Sequence, residues 1–200
     1  MLLTAYMLGR SLHNQRRHDD AVTEFCRIVD RQGKVLGVNH ESTLETVYRL
    51  AMSLYFLDRC TEAESLFRRA LHRREKLSGP DNKATIECAY WLGHTLYVQN
   101  RYKEAADAYR RAHDHELTLD ATFSLGQCLY DQNEYEEAED LFQDALEGQQ
   151  KISGHYHDKT RASRKSLENA RRKAIADGLQ KASLPGTYTR SRKRTSKGSC

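Results

Sequence analysis

The 200-residue chain has few of the residues that interrupt helices or cross-link a fold. It contains only two prolines, so long helices can run through most of its length. Its five cysteines are odd in number and widely scattered, and no CxxC pair occurs. This pattern argues against a disulfide framework and against a zinc site, and it favours reduced thiols in an intracellular protein.

Long apolar runs are absent as well. The hydrophobic fraction is 38%, and no run approaches the roughly 18 apolar residues of a membrane span. The first ten residues, MLLTAYMLGR, lack the basic start, long apolar core and small-residue cleavage site of a signal peptide. Charged residues make up 30% of the chain, which suits amphipathic helices with thin apolar stripes. A cytoplasmic location is therefore the expectation.

What the chain does have is an internal repeat. Three sets of residues share the same steps of 42, 42 and 33 residues. The sets are an alanine (Ala21, Ala63, Ala105, Ala138), a small residue after a leucine (Gly9, Ala51, Gly93, Gly126) and an aromatic residue (Phe25, Phe67, Tyr109, Phe142). Three sets with one spacing indicate a repeat architecture.

Each unit is predicted to contain two helices. Stretches such as ETVYRLAMSLYF carry apolar residues at helical spacing, and stretches such as RYKEAADAYRRA follow them after a polar turn. The small residues would let the two helices approach closely, and the aromatic residue would fill the space beside them. The fold class is therefore all-α.

At these residues the chain resembles the tetratricopeptide repeats. The 42-residue step is similar to that of the kinesin-light-chain type, whose units open near Gly-x-x-His-x-x-Thr. The matching openings are GVNHEST at 37–43, GPDNKAT at 79–85 and GHYHDKT at 154–160, with Asn82 in place of the histidine in the second. The resemblance covers about residues 1–175 and implies a right-handed superhelical solenoid.

The repeats divide the chain into units of about 1–36, 37–78, 79–119 and 120–153. A helix over 157–182 is predicted to cap the array, which then spans 1–182, with Leu167, Ala170, Ala174 and Leu179 on one side. Residues 183–200 include Pro185 and Gly186, have no apolar periodicity and are predicted to form a disordered basic tail.

Charge is divided unevenly along the chain. Residues 157–200 contain 13 Lys or Arg and three Asp or Glu, a formal charge of +10, and the chain total of +4 leaves −6 for residues 1–156. The tail could be a solubilising segment, a nuclear-import signal, an RNA-binding arm or a membrane-surface contact. Its basic residues are Arg190, Arg192, Lys193, Arg194 and Lys197. No aromatic stacking platform accompanies them, which argues against sequence-specific RNA recognition.

Catalytic and metal-binding patterns are nearly absent. The HDHE stretch at 113–116 places two histidines at positions i and i+2, which point apart on a helix. The sequence contains no glycine-rich phosphate loop and no GxSxG nucleophile turn. We therefore expect a protein without enzymatic activity, cofactor or metal.

The resemblance also implies a binding surface, because the first helices of such arrays line a concave groove. Counted from the Leu-Gly or Leu-Ala marker, one row is Tyr6, Tyr48, Tyr90 and Phe123, a second is Arg10, Met52, His94 and Gln127, and a third is His13, Tyr55, Tyr97 and Tyr130. Lys165, Asn169 and Arg172 of the capping helix fall in the same rows. Tyrosine suits peptide recognition, although the third row also belongs to the packing pattern of the repeat.

Three functional hypotheses follow from this reading. The first is an adaptor or scaffold whose groove binds a peptide or helix of a partner protein, with acidic residues of the partner facing the basic end. The second is a structural repeat fragment of a larger receptor-type or motor-adaptor-type architecture that stacks on other repeats, including oligomerisation through the N-terminal helix. The third is a nuclear or RNA-associated scaffold that uses the basic tail.

Overall fold

The computed structural model describes residues 2–113, 119–155 and 157–183, and these residues form nine α-helices and no strand. The helices are α1 (Leu2–Asn14), α2 (His18–Val35), α3 (Glu41–Phe56), α4 (Cys60–Ser78), α5 (Lys83–Val98), α6 (Tyr102–His113), α7 (Leu119–Asp131), α8 (Tyr135–Ser153) and α9 (Asp158–Ser183). Each helix packs against the next one in the chain, as expected for a stack of helix pairs. Within the described ranges, no helix is both long and apolar enough to cross a lipid bilayer.

The turn inside each unit has the same backbone geometry four times. One residue adopts a positive φ, namely Arg16 (61°), Asp58 (60°), Asn100 (60°) and Asn133 (65°). Asn and Asp tolerate this left-handed region better than most residues, which explains three of the four choices. The N–H of the following residue then donates to a leucine carbonyl in each unit, at 3.0 Å from Arg17 to Leu12 and at 2.9 Å from Glu134 to Leu129.

The turn between units explains the Gly-x-x-His-x-x-Thr pattern. Gly37, Gly79 and Gly154 all adopt positive φ, and at Gly79 and Gly154 ψ is extended (167° and 174°), a combination that only glycine adopts without strain. The next helix is then capped by a side chain: His40 Nδ1 accepts from the Ser42 N–H at 3.1 Å, and Asn82 Oδ1 accepts from the Ala84 N–H at 2.9 Å. Asn82 therefore performs the capping task of the histidine that it replaces.

The repeated small and aromatic residues form the contact between the two helices of a unit. Ala21, Ala63, Ala105 and Ala138 are fully buried, and so are Phe25, Phe67 and Phe142. A Cβ atom added at Gly93 would lie 2.7 Å from Cε1 of Tyr109, and one added at Gly9 would lie 2.7 Å from Cε1 of Phe25. The glycines are needed because the aromatic rings occupy the space that a side chain would take.

The third unit is shorter than the others, and a glycine in α8 accommodates the resulting position of α7. The second helix of this unit ends at His113, and α7 begins at Leu119. Leu119 packs directly against Gly148, where any Cβ atom would collide with the leucine side chain. A glycine at this position of α8 therefore makes room for the displaced start of α7.

The capping helix is longer than its neighbours. Of the four apolar residues predicted on one side, Leu167 and Ala170 are buried and Ala174 is half-buried, whereas Leu179 is 67% exposed. The first residues of α8 lie beside Ala174 and Asp177, so α9 extends past its packing partner beyond this point. Apart from Ser183, the predicted disordered tail lies outside the described residues, as do its five basic residues Arg190, Arg192, Lys193, Arg194 and Lys197.

Candidate functional site

The candidate binding surface is the layer formed by the first helices of the units, here called the inner layer (α1, α3, α5, α7 and α9). Contacts join α1 to α3, α3 to α5 and α7 to α9, so these helices lie side by side in chain order. Two cavities open between them, one at each end of the array. The rows predicted from the sequence are distributed between these cavities and the core.

The C-terminal cavity brings together three of the predicted residues. It has a volume of about 390 Å³ and is lined by Tyr90, His94, Asp120, Phe123, Ser124, Gln149, Lys159, Ala162 and Ser163. Tyr90 and His94 come from α5 and Phe123 from α7, so two consecutive inner helices present aromatic rings to one space. Such a mixture of apolar walls and a few convergent polar groups is typical of ligand pockets.

Two polar contacts hold the far wall of the C-terminal cavity in place. Lys159 of α9 bonds to Asp120 of α7, with 2.6 Å between Nζ and Oδ2. Below them, the hydroxyl of Ser163 donates to Oε1 of Gln149 at 2.8 Å in a buried position. None of these four residues belongs to the rows predicted from the sequence.

Burial sets the charge state inside the C-terminal cavity. It raises the pKa of Tyr90 to about 12, so the phenol stays neutral. It also lowers the pKa of His94 below the ordinary value of 6.5, although the nearby Asp120 carboxylate acts in the opposite direction. The Tyr90 and His94 rings meet edge to face with centroids 4.7 Å apart. The cavity therefore presents neutral aromatic groups at pH 7, with the charged pair of Lys159 and Asp120 beside them.

The N-terminal cavity contains Tyr6 of the first predicted row. It also has a volume of about 390 Å³ and is lined by Leu2, Leu3, Tyr6, Gln32, Leu36, Glu41, Ser42 and Glu45. The Tyr6 hydroxyl donates to Oε1 of Glu45 at 3.1 Å, so its polar end is already occupied. The carboxylates of this cavity, Glu41 and Glu45, pair with Arg74, whereas the C-terminal cavity lies beside the basic α9.

In the middle of the inner layer, the Arg74 side chain occupies the equivalent space. Tyr48 is 3% exposed and Met52 is 8% exposed, so neither offers surface to a ligand. The Arg74 guanidinium lies over the Tyr48 ring, 5.6 Å from its centroid, and Arg74 Nη1 donates to the Ala84 carbonyl at 3.0 Å. The predicted single stripe of first-row residues is therefore divided into two separate sites.

The repeat explains this division. Gln32, Arg74 and Gln149 occupy the same position in their units, near the end of the second helix, and all three are buried. The glutamines line the two cavities, whereas the longer arginine side chain closes the space between them. A polar residue repeated in phase with the hydrophobic markers is the sequence signal by which Gln149 could have been found.

The third predicted row serves mainly as packing. The Tyr97 hydroxyl donates to Oδ2 of Asp131 at 2.6 Å, and its ring contacts Tyr102 at 5.4 Å between centroids. The Tyr130 ring contacts Tyr135 in the same way at 5.3 Å, and Tyr55 lies against Trp91 at 5.6 Å. Unlike Tyr90 and Phe123, these rings do not line the C-terminal cavity.

The remaining predicted residues lie at the edges of the inner layer. On the capping helix, Lys165 and Arg172 are exposed and Asn169 is half-buried. Gln127 of α7 and His13 of α1 are half-buried, and Arg10 is exposed. The exposed cations on α9 give the C-terminal end of the layer a positive charge.

No metal centre is present in the described part of the chain, since none of its His, Cys, Asp and Glu side chains form a group of three or more that could hold an ion. Most of the HDHE stretch lies outside the described residues. The buried thiols are also unsuited to chemistry, because burial raises the pKa of Cys88 to about 12.

This arrangement of paired helices, repeated turns and an inner layer defines a helical-repeat protein. Sequence profiles described as tetratricopeptide repeat match residues 1–76 and 44–115 in one case and residues 90–152 in another. Because these matches cover more than half of the chain, the protein belongs to the tetratricopeptide repeat family. A comparison with curated proteins gave no match.

Solved structures share the fold at low sequence identity. A putative kinesin light chain of Podosopora anserina, with nearly identical TPR-like repeats, is 17% identical, with a TM-score of 0.74 over 90% of this chain and 90% of its own. The apo form of RapI is 14% identical, with a TM-score of 0.74 over 90% of this chain and 66% of its own. A Rap protein complexed with competence and sporulation factor is 18% identical, with a TM-score of 0.60 over 89% and 50% of the two chains.

The buried His94 makes the stability of the fold dependent on pH. Because burial lowers the pKa of His94 in the folded protein, the unfolded chain binds a proton first as the pH falls below about 6.5. The folded state binds fewer protons in this window, so its stability should decrease on acidification. We expect His94→Gln, which introduces the residue found at position 127, to reduce the loss of melting temperature between about pH 7.5 and pH 5.5. Equal losses in both proteins would contradict this assignment.

Proposed function

We propose that this protein is a non-catalytic scaffold that binds an extended segment of a partner protein at the C-terminal cavity. The observation that carries the proposal is the convergence of Tyr90, His94 and Phe123, from two inner helices, on one cavity of about 390 Å³. Buried aromatic anchors in such cavities contribute most of the affinity at many interfaces. An apolar or aromatic side chain of the partner would occupy the cavity.

The charged residues near the cavity would set the orientation in which the partner segment binds. The exposed Lys165 and Arg172 lie on α9, the helix that also carries Lys159 of the cavity wall. An acidic residue of the partner would pair with these cations, whereas the N-terminal cavity offers it only Glu41 and Glu45, whose carboxylates already pair with Arg74. We therefore propose a partner segment with an aromatic or apolar anchor and an acidic flank on its α9 side.

The experiment begins with a peptide selected from a random display library against the intact chain. Tyr90→Ala should weaken binding of the selected peptide by about 2 kcal/mol or more, because it removes a half-buried aromatic anchor. Lys165→Ala should weaken it by no more than about 1 kcal/mol, since a surface ion pair is screened by solvent. Calorimetric titration of both variants measures the two effects, and added salt should reduce only the contribution of the cations.

Tyr130→Ala is the matched control for Tyr90→Ala, because Tyr130 is also half-buried but packs against Tyr135 and does not line the cavity. It should leave peptide affinity nearly unchanged. If Tyr90→Ala and Lys165→Ala both bind the peptide like the unaltered protein, the binding surface lies elsewhere and the proposal is wrong.

A second candidate function is supported by exposed apolar side chains of α1. Leu3, Met7 and Leu8 are 74%, 52% and 50% exposed there, so α1 presents an apolar stripe to its surroundings. Stacking of further repeats or of a second copy on α1 would cover this stripe. Such stacking would survive Tyr90→Ala and would be weakened by Leu3→Ser, which separates it from binding at the cavity. A cytoplasmic location and nuclear import through the basic tail both stay predictions.

A further inference from the structure

A third cavity, here called the outer crevice, lies between the second helices of the first two units. It has a volume of about 360 Å³, and its charged lining consists of Asp30 and Lys34 of α2 with Arg69 and Arg73 of α4, beside the hydroxyl-bearing Thr43 of α3. Gly33 and valine side chains, including Val47, form the rest of the wall. None of these residues lines the two cavities of the inner layer, so the outer crevice is independent of the proposed peptide site.

The outer crevice has an excess of positive charge. Its three cations face a single carboxylate, that of Asp30, which leaves a formal balance of +2. Arg73 is held in place, because its Nη1 donates to the Val38 carbonyl at 2.9 Å and to Oδ1 of Asn39 at 2.7 Å. In the parts of the chain that the structure describes, Arg69 and Lys34 form no salt bridge with any carboxylate. Burial and the adjacent Arg73 charge lower the pKa of Arg69, as expected for neighbouring cations without a counter-ion.

In the next repeat, the arginine equivalent to Arg69 has an acidic partner. Arg111 lies 42 residues after Arg69 and occupies the same position in its unit. Its Nη1 forms a salt bridge with Oε1 of Glu75 at 3.2 Å. Glu75 lies 42 residues after Gly33, so the second unit keeps the arginine, as Arg69, but the first unit has glycine in place of the acid. A Cβ atom at Gly33 would have only Cγ1 of Val38 within 4 Å, at 3.6 Å, so crowding does not require the glycine.

We propose that the outer crevice binds a phosphate monoester dianion, supplied by a phosphorylated serine or threonine of a partner segment. A dianion balances the formal charge of +2, and the two guanidinium groups provide several N–H donors that suit phosphate oxygens. The ligand would take the place that the Glu75 carboxylate occupies beside Arg111 in the next unit. The valine side chains would contact the Cβ atom, and in threonine the methyl group, of the phosphorylated residue.

The test uses the full chain and capped phosphoserine as the probe. Titration at about pH 7.5, where the phosphate is a dianion, is followed through the arginine Nε–H resonances in NMR spectra. We expect saturable shifts of Arg69 and Arg73 with phosphoserine, and binding weaker by about tenfold or more in Arg69→Gln, which loses a charged hydrogen-bond donor. Gly33→Glu should abolish binding as well, because it supplies the acid that the neighbouring unit carries at this position. Its melting temperature should be unchanged or higher, since glycine is unfavourable in a helix.

Arg111→Gln is the matched control and should leave phosphoserine binding unchanged. Capped glutamate and inorganic phosphate are the comparison probes. If glutamate binds as well as phosphoserine, the site does not select a phosphate, and if inorganic phosphate binds equally well, the assignment to a partner's side chain is wrong. The proposal is also overturned if phosphoserine produces no saturable shift at Arg69 and Arg73, or if Gly33→Glu binds it like the unaltered protein.

Discussion

Replacing Arg74 by alanine should lower the free energy of unfolding by about 3–5 kcal/mol, because it leaves a partly buried carboxylate without its main partner. The Arg74 side chain is 1% exposed, and its Nη2 contacts Oε2 of Glu45 at 2.9 Å and Oε1 of Glu41 at 3.0 Å. Burial alone would raise the pKa of Glu45, but the hydrogen bond from Arg74, together with Arg49, holds it below its usual value. The truncation also opens a cavity beside Tyr48.

Two control variants sharpen the Arg74 prediction. Arg74→Gln introduces the residue that occupies the equivalent buried positions 32 and 149, and it should cost less than Arg74→Ala because the amide keeps part of the hydrogen bonding. Arg73→Ala removes the neighbouring arginine, which is half-buried, and should cost less still. Denaturant unfolding at constant pH measures all three. An Arg74→Ala variant within about 1 kcal/mol of the unaltered protein would show that the buried ion pairs contribute little.

Truncation of Phe67 to alanine should cost about 3–5 kcal/mol, the range for a fully buried aromatic side chain. Phe67 has 0% exposure and lies in an interior unit, where both neighbouring units pack against it. Its ring meets Tyr48 edge to face at 5.9 Å between centroids, so its loss also loosens the inner layer next to Arg74. Because the described helices form one continuous core, the variant should unfold at a lower denaturant midpoint.

Ile152→Ala provides the contrast for Phe67→Ala. Ile152 is 77% exposed at the end of α8, so its truncation should change stability by less than about 0.5 kcal/mol. Both substitutions remove a large apolar side chain, and only burial differs. Comparable losses in the two variants would mean that the marker aromatics are not the principal contacts of the repeat.

Much of the fold could be predicted from local sequence. The small residue and the aromatic residue are spaced within one unit, so their contact, as between Gly93 and Tyr109, follows from helical geometry and a short turn. The positive φ of Asn100 and Asn133 likewise belongs to residues whose own side chains favour it. The exposure of Leu179 on the capping helix depends on where α8 begins, and the periodicity of α9 does not contain that information.

The sequence predicted the candidate sites less completely than it predicted the fold. Tyr90 and Phe123 line a cavity as their row predicted, but the equivalent Tyr48 is buried. Equivalent positions of a row are equally exposed only if their surroundings are the same in every unit. Residues outside the rows, such as Arg74, make these surroundings different. Asp120 and Lys159 lie 39 residues apart and meet only across the cavity, so no local pattern indicates their contact.

By itself, the sequence of this protein determined the number of repeated units, their helix pairs, their turns and the residues of their internal contacts, because each of these depends on neighbours within one unit. Only the tertiary structure decided which inner positions remain open. Arg74 closes the middle of the inner layer through contacts with Glu45 and Ala84, which lie 29 and 10 residues away. Gly33 leaves Arg69 without the acid that Glu75 supplies to Arg111 in the next unit. Such effects arise between units, where one long or missing side chain changes the surface that two stacked units share.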